Sequence, residues 1–234
     1  MKTKVLIPLQ LALTAMVGLS SCNSSGDTPS PNLYLDIVTI RHIGDEGCSF
    51  SAIAPNSDNS VTYTTSQVIK GELYKAGERV IINYTTENGR FESGPINIYA
   101  IAPTVGKGAN ISSTSAEEAD SWATSMVKMY DIFRTGQYVN IVFLSYGAPT
   151  PKKCELVADE TTLNDEYPTV HLIYEPGDGQ QQSDYAFYMS YDMNDITDHE
   201  GCKGINVVYK GSGGTFTSKQ VEYSYGFIKP DKPQ

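Results

Sequence analysis

Three kinds of residue in this chain have types and spacings that suggest chemistry: clustered acids, histidines and cysteines. Asp192, Asp195 and Asp198 fall within the stretch Asp192–Glu200. Oxygen-rich loops hold calcium when they supply 6–8 oxygen ligands. Here the glycine and terminal glutamate of a helix-loop-helix calcium site are missing, and a spacing of three suits one helical turn. The stretch is therefore expected to be a solvated connection; no metal or cofactor is assigned, and these three aspartates are where a metal would be sought first. The histidines are His42, His171 and His199. A hydrolytic triad needs a nucleophile, a base and an orienting acid, and no Gly-x-Ser-x-Gly elbow is present. His171, between Val170 and Leu172, is expected on the wet or interface side of a strand. Glu117-Glu118 and Asp159-Glu160 are adjacent acids expected in solvent. Paired carboxylates for glycoside hydrolysis are defined by their separation, which sequence does not give.

Cysteine chemistry is more informative. Lys2 and Lys4 precede an apolar run, Val5–Val17, too short to cross a bilayer, and Leu19-Ser20-Ser21-Cys22 closes it. This is a lipobox-type export signal. Residues 1–21 are expected to be removed and Cys22 to become the acylated N-terminus, making the lipid bilayer one partner. Residues 22–32 form a Ser- and Pro-rich tether. Nine extended residues reach about 30 Å. Cys48, Cys154 and Cys202 remain, an odd number for an exported chain. One internal disulfide is allowed, with Cys154–Cys202 preferred; the alternative is three buried thiols behaving as small apolar residues. No CxxC or Cys/His spacing suggests zinc.

The 234 residues carry a formal charge of −10. Removing Lys2 and Lys4 leaves 15 basic against 27 acidic residues, or −12. So acidic a chain, without a basic cluster, repels phosphate backbones, which argues against nucleic-acid binding. It also repels anionic bilayers, so the lipid must do the anchoring.

The elements that position these residues are strands. Period-two alternation dominates from residue 33, supported by 16 tyrosines. In Tyr34–Ile43, Leu35, Ile37 and Thr39 oppose Tyr34, Val38 and Ile40. In Arg79–Thr85, Val80, Ile82 and Tyr84 share a face. Gln137–Tyr146 is apolar on both faces, which predicts a strand covered on both sides. Tyr185, Phe187, Met189 and Tyr191 line one face, as do Val221, Tyr223, Tyr225 and Phe227. Turn signals such as Asn88-Gly89 and Gly211-Ser212-Gly213-Gly214 separate the runs, which points to barrels or sandwiches. One helix is predicted over 115–125, from the Ser115–Glu118 capping box and the spacing of Ala119, Trp122, Ala123 and Met126. Trp122 is expected to pack near a domain junction.

Three segments carry a family resemblance. Gly77-Glu78-Arg79-Val80-Ile81-Ile82-Asn83-Tyr84-Thr85, followed by Asn97-Ile98-Tyr99-Ala100-Ile101, resembles a strand pair of NigD-like lipoproteins from Bacteroidetes. Asp131-Ile132-Phe133-Arg134-Thr135-Gly136-Gln137-Tyr138-Val139-Asn140-Ile141 resembles a further segment of that family. The resemblance covers essentially the whole mature chain. Phe133 stands where the family usually has Trp, and Cys154 and Tyr174-Glu175 also depart from its pattern. The resemblance implies an all-β chain: an N-terminal OB-like barrel over 33–112, an immunoglobulin-like β-sandwich over 113–229 and a tail at 230–234. It implies no catalytic residues. The expected function is a non-catalytic cell-envelope lipoprotein that binds or scaffolds another envelope component, a protein or a glycan. The binding surface would be the barrel face, the groove between domains or the sandwich loops. A surface-filament subunit or anchor ranks second, and an envelope hydrolase using His171 or His199 third. Asp27 is the only acid soon after Cys22, and acidic clusters there favour surface export in such lipoproteins. The expected address is thus the periplasmic face of the outer membrane.

Overall fold

The structure is a computed structural model, and it describes residues 32–69, 74–105, 112–114, 124–178 and 183–223. The signal, Cys22 and its tether, Glu117-Glu118, Trp122, Tyr225 and Phe227 lie outside the described residues. The chain divides into two compact units. The first draws on residues up to Ala52 and on Ser60–Pro103, the second on Ile53–Asn59 and residues from Thr104 onward.

The first unit is a closed five-stranded barrel. Its strands are β1 (Tyr34–Gly44), β2 (Gly47–Ile53), β3 (Ser60–Thr65), β4 (Arg79–Thr86) and β5 (Gly94–Pro103). They run in the order β1-β2-β3-β5-β4, and β1 pairs back onto β4. A single strand closes the barrel because β1 is long and irregular. Tyr34–Thr39 pairs with β4 and Thr39–Gly44 with β2, with a register shift between Ile40 and His42. Such bulges bend a strand and suit barrel corners. The strand order and the parallel β3–β5 pair are those of an OB-like barrel. The inward set is the predicted one: Val38, Ile40, Val80, Ile82 and Tyr84 are buried beside Phe50, Tyr63 and Ile98.

The second unit is a β-sandwich made largely by one strand. Its elements are β6 (Ser112–Thr114), β7 (Lys128–Thr135), β8 (Tyr138–Asp159), β9 (Thr169–Gly177), β10 (Ser183–Asp192), a one-turn helix α1 (Asn194–Thr197), β11 (Gly204–Lys210) and β12 (Phe216–Glu222). The sequence reading set the division between domains at 112/113, which falls inside β6, a strand of this unit. The first half of β8 pairs with β7 and β10, its second half with β9 and β6. Between the halves lie Gly147, Pro149 and Pro151, and the β8–β9 register jumps from Ala148 to Lys153. The prolines cannot donate to a ladder, so β8 leaves one sheet and enters the other. Gly177 is required at this crossing, since a Cβ there would lie 1.9 Å from the Thr150 carbonyl oxygen.

The two sheets enclose one core. Phe143 of β8 stacks on Phe187 of β10 at 5.2 Å and meets Tyr174 of β9 edge-on at 5.1 Å. Phe187, Met189 and Tyr191 are buried as the alternation predicted. Strand β8 departs from its prediction: Val139, Ile141 and Phe143 are buried, but Tyr138, Val142 and Leu144 are half-buried and Tyr146 is 62% exposed. Its second face is only partly covered. The predicted helix lies outside the described residues up to 123. Its last two positions are not helical, because Thr124 and Ser125 bond to β9 through Tyr174 N–H to Thr124 Oγ1 (3.1 Å) and Ser125 N–H to the Tyr174 oxygen (2.8 Å).

Candidate functional site

The barrel holds a buried polar network at the base of its β4–β5 loop. Asp36 points inward from β1, on the same face as Tyr34, Val38 and Ile40, and its side chain is 5% exposed. Its Oδ2 accepts the Tyr84 hydroxyl at 2.7 Å, and its Oδ1 accepts Arg90 Nη2 at 2.5 Å and Nε at 3.2 Å. The Tyr84 and Tyr63 hydroxyl oxygens are 2.8 Å apart. Tyr84 has one proton, and the carboxylate has none to give, so that proton points at Asp36. Tyr63 therefore donates to Tyr84, and the Tyr63 oxygen accepts the Phe91 N–H at 2.9 Å. The result is an ordered chain from Phe91 through Tyr63 and Tyr84 to Asp36, with Arg90 closing the far side. Every buried polar group in it has a partner, which such networks require to be stabilising.

Electrostatics follow from burial. Desolvation raises the Tyr84 pKa strongly, and the adjoining Tyr63 and Asp36 raise it further. Burial also raises Tyr63. The hydrogen bond to Asp36 raises the pKa of Arg90. Both phenols stay neutral at physiological pH, so neither is a base. With Asp36 saturated by donors, the network has no activated nucleophile. What it does is hold a loop. Arg90, 43% exposed, lies 4.9 Å from the Phe91 ring centroid and 5.9 Å from that of Tyr34. Phe91 has φ +62°, a left-handed conformation that costs a bulky residue about 1–3 kcal/mol. Further bonds fix the same loop: Asn88 Nδ2 donates to the Ser93 oxygen at 3.0 Å, and Thr62 N–H to Ser93 Oγ at 3.0 Å. The saturated network holds a strained residue in one fixed conformation.

The second unit has its own buried cation. Arg134 of β7 is fully buried. Its guanidinium bonds the Asp58 carboxylate, the Gly136 oxygen (2.9 Å) and the Glu222 oxygen (3.2 Å), and lies 5.8 Å from the Tyr223 ring centroid. With this many partners, Arg134 ties Ile53–Asn59, the start of β8 and the end of β12 into one unit.

The residues proposed from sequence are scattered. Cys154 and Cys202 do not form a disulfide; both are thiols, as is Cys48. Cys154 faces the sandwich core, its Sγ 3.5 Å from Met189 Sδ, while Cys202 sits in the turn before β11 with its Sγ 3.3 Å from the Gly204 oxygen. The β8 alternation that aims Cys154 inward keeps it from a surface loop. Asp192 is structural, its Oδ2 accepting Gln137 Nε2 at 2.6 Å and its Oδ1 the Asn194 N–H at 2.9 Å. Asp195 lies in the first turn of α1 and Asp198 caps its C-terminal end, the single helical turn that their spacing suggests. Among the described residues no three His, Cys, Asp or Glu side chains are grouped to hold a metal. His171 lies opposite buried Val170 and Leu172, with Val157 and Val208 as cross-strand neighbours. His199 Nδ1 contacts the Glu200 oxygen at 3.2 Å, and His42 is exposed. Asp159 caps a 3₁₀ turn by accepting the Thr161 N–H at 2.9 Å.

Sequence alone does not single out Asp36, Tyr63 or Arg90. The available signal is Asp36 itself, an acid on the same face of β1 as Tyr34, Val38 and Ile40.

Residues 110–223 match the family model described as NigD-like C-terminal beta sandwich domain. Among solved structures, a protein of unknown function from Bacteroides vulgatus superposes with TM-score 0.60 at 18% identity, covering 86% of this chain and 97% of its own. A Bacteroides fragilis protein provisionally described as a lipoprotein gives 0.57 at 11%, covering 83% and 100%. A NigD-like immunity protein from Bacteroides caccae gives 0.54 at 15%, covering 82% and 94%. At these identities the likeness is one of fold. No curated protein matches the chain. The segments that carried the resemblance are β4, β5 and the β7–β8 hairpin, and two of the departing positions, Cys154 and Tyr174, are a cross-strand pair. No helix among the described residues is long and apolar enough to cross a membrane.

Proposed function

We propose that the chain is a NigD-like, lipid-anchored envelope protein that binds or scaffolds another envelope component without catalysis, a reading supported by the match of residues 110–223 to the NigD-like C-terminal beta sandwich domain. The carrying observation is the β4–β5 loop: exposed, strained at Phe91, and fixed by a buried network whose groups are all saturated. OB-like barrels present ligands to this loop. A rigid loop with no activated nucleophile suits recognition better than turnover. The anchor is Cys22, and a tether with Asp27 as its only acid, and so without an acidic cluster, supports the periplasmic face of the outer membrane. A protein partner of the toxin kind is the second reading, favoured by the name of the Bacteroides caccae neighbour.

The test is a photo-crosslinking side chain in place of Glu92, which is exposed in this loop, in living cells. A discrete adduct supports the reading. An absence of adduct, or a saturable hydrolytic activity that maps to named side chains, would overturn it.

A further inference from the structure

Exposed apolar side chains gather at one end of the sandwich. Met126 is 53% and Phe216 62% exposed. Backbone pairing places them on the two sides of Lys210. Val127 N–H donates to the Lys210 oxygen at 3.0 Å, Val127 bridges to Gly211, and Lys210 stands directly opposite Phe216 across the β11–β12 ladder. The turn between these strands is closed by Gly211 N–H to the Thr215 oxygen (3.0 Å) and Gly214 N–H to the Gly211 oxygen (2.9 Å). Met126 Sδ lies 3.7 Å from the point where a Cβ on Gly214 would be. Glycines thus leave the tip bare, and Met126 and Phe216 are its apolar surface.

Of the acids near this end, Asp131 is matched by Lys219 at 2.8 Å, and Glu175 and Asp178 by Lys152 at 3.6 and 2.8 Å, while exposed Asp184 at the start of β10 joins no ion pair among the described residues. Lys128 and Lys210 join no ion pair among the described residues. Lys128 Nζ instead lies 5.8 Å from the ring centroid of Tyr130, which is 44% exposed. Long lysine stems, an aromatic ring and two apolar residues on a glycine turn suit the boundary between headgroups and acyl chains, where the stems lie on apolar surface and the ammonium groups reach phosphate. We propose that the β11–β12 turn, with Met126 and Phe216, dips into a lipid surface and gives the chain a membrane contact in addition to Cys22. Strand addition by a protein partner fits this end less well. Lys219 stands in the middle of edge strand β12, and the β7 register shifts between Met129 and Asp131; both features blunt an edge.

The test uses the full lipidated chain reconstituted in vesicles of phosphatidylethanolamine and phosphatidylglycerol with brominated acyl chains. In Phe216→Trp, most emission of the introduced indole is quenched, with Trp122 of the unaltered chain as baseline. Met126→Trp gives a second, independent reading. Replacing Lys128 or Lys210 by Glu weakens the quenching, since each surface lysine changes partitioning about fivefold. Unquenched emission in both tryptophan variants, with the chain still anchored, would overturn the proposal. So would an emission shift that tracks protein concentration without vesicles, which would mean that a second copy covers the tip.

Discussion

Asp36→Ala tests the barrel network most severely. Tyr84 would lose a charge-assisted bond worth about 1.5–3 kcal/mol, and its hydroxyl would remain in the barrel without that acceptor, at about 1–3 kcal/mol. Arg90 adds little, because it is 43% exposed and a solvent-screened pair contributes about 0–1 kcal/mol. The expected loss is about 3–5 kcal/mol. Asp36→Asn keeps an acceptor of the same shape for Tyr84 and should cost about 1–2 kcal/mol. The assay is hydrogen exchange along a urea series, read separately on β4 peptides for the barrel and β8 peptides for the sandwich, since two units need not unfold together. Both variants should lower protection in β4 and leave β8 unchanged, with Ala the larger by about 2 kcal/mol. Equal effects of Ala and Asn, or a loss confined to β8, would refute the chain of donors from Phe91 to Asp36.

Three further outcomes follow from the sandwich. Arg134→Ala should cost about 3–5 kcal/mol in β8 protection, because it strands the Asp58 carboxylate and two carbonyls, and Arg134→Lys should recover only part of this. Burial raises the Cys154 pKa from its ordinary 9.0 to about 12, and Tyr223 rises from 10.0 to about 12. Groups that hold their protons longer in the fold give stability that is whole below the ordinary values and lost as pH climbs through the folded ones; the urea midpoint of the sandwich should therefore fall between pH 9 and 12, and Cys154→Ala should flatten that fall. Maleimide should label half-exposed Cys202 in the native chain and reach Cys48 and Cys154 only after unfolding; protection of Cys202 by oxidation, reversed by reductant, would restore the disulfide.

The strands were legible because alternation is a local property. Val80, Ile82 and Tyr84, or Phe187, Met189 and Tyr191, face inward for reasons visible within seven residues. Strand β8 was legible only to Tyr146, because Gly147, Pro149 and Pro151 look like a terminator in sequence, yet the chain runs on into a second sheet. The pairing of Cys154 with Cys202 failed for a related reason: both lie late in the chain, but distance in sequence says nothing about which face of β8 a thiol occupies. The polar network was the least legible. Asp36 and Arg90 are 54 residues apart, and only closure of β1 onto β4 brings them together. Arg134 is similar: in sequence it is one residue of a turn motif, and only the fold shows it buried against Asp58 and the end of β12.

The central claim is that the β4–β5 loop recognises a partner because the barrel holds it rigid. Tyr63→Phe removes the hydroxyl that accepts the Phe91 N–H and leaves the loop surface unchanged. The direct measurement is the yield of the Glu92 photo-adduct in cells carrying Tyr63→Phe, at matched protein level. The account predicts a clear drop in that yield; an adduct formed equally well would show that rigidity of the loop is not what the partner reads.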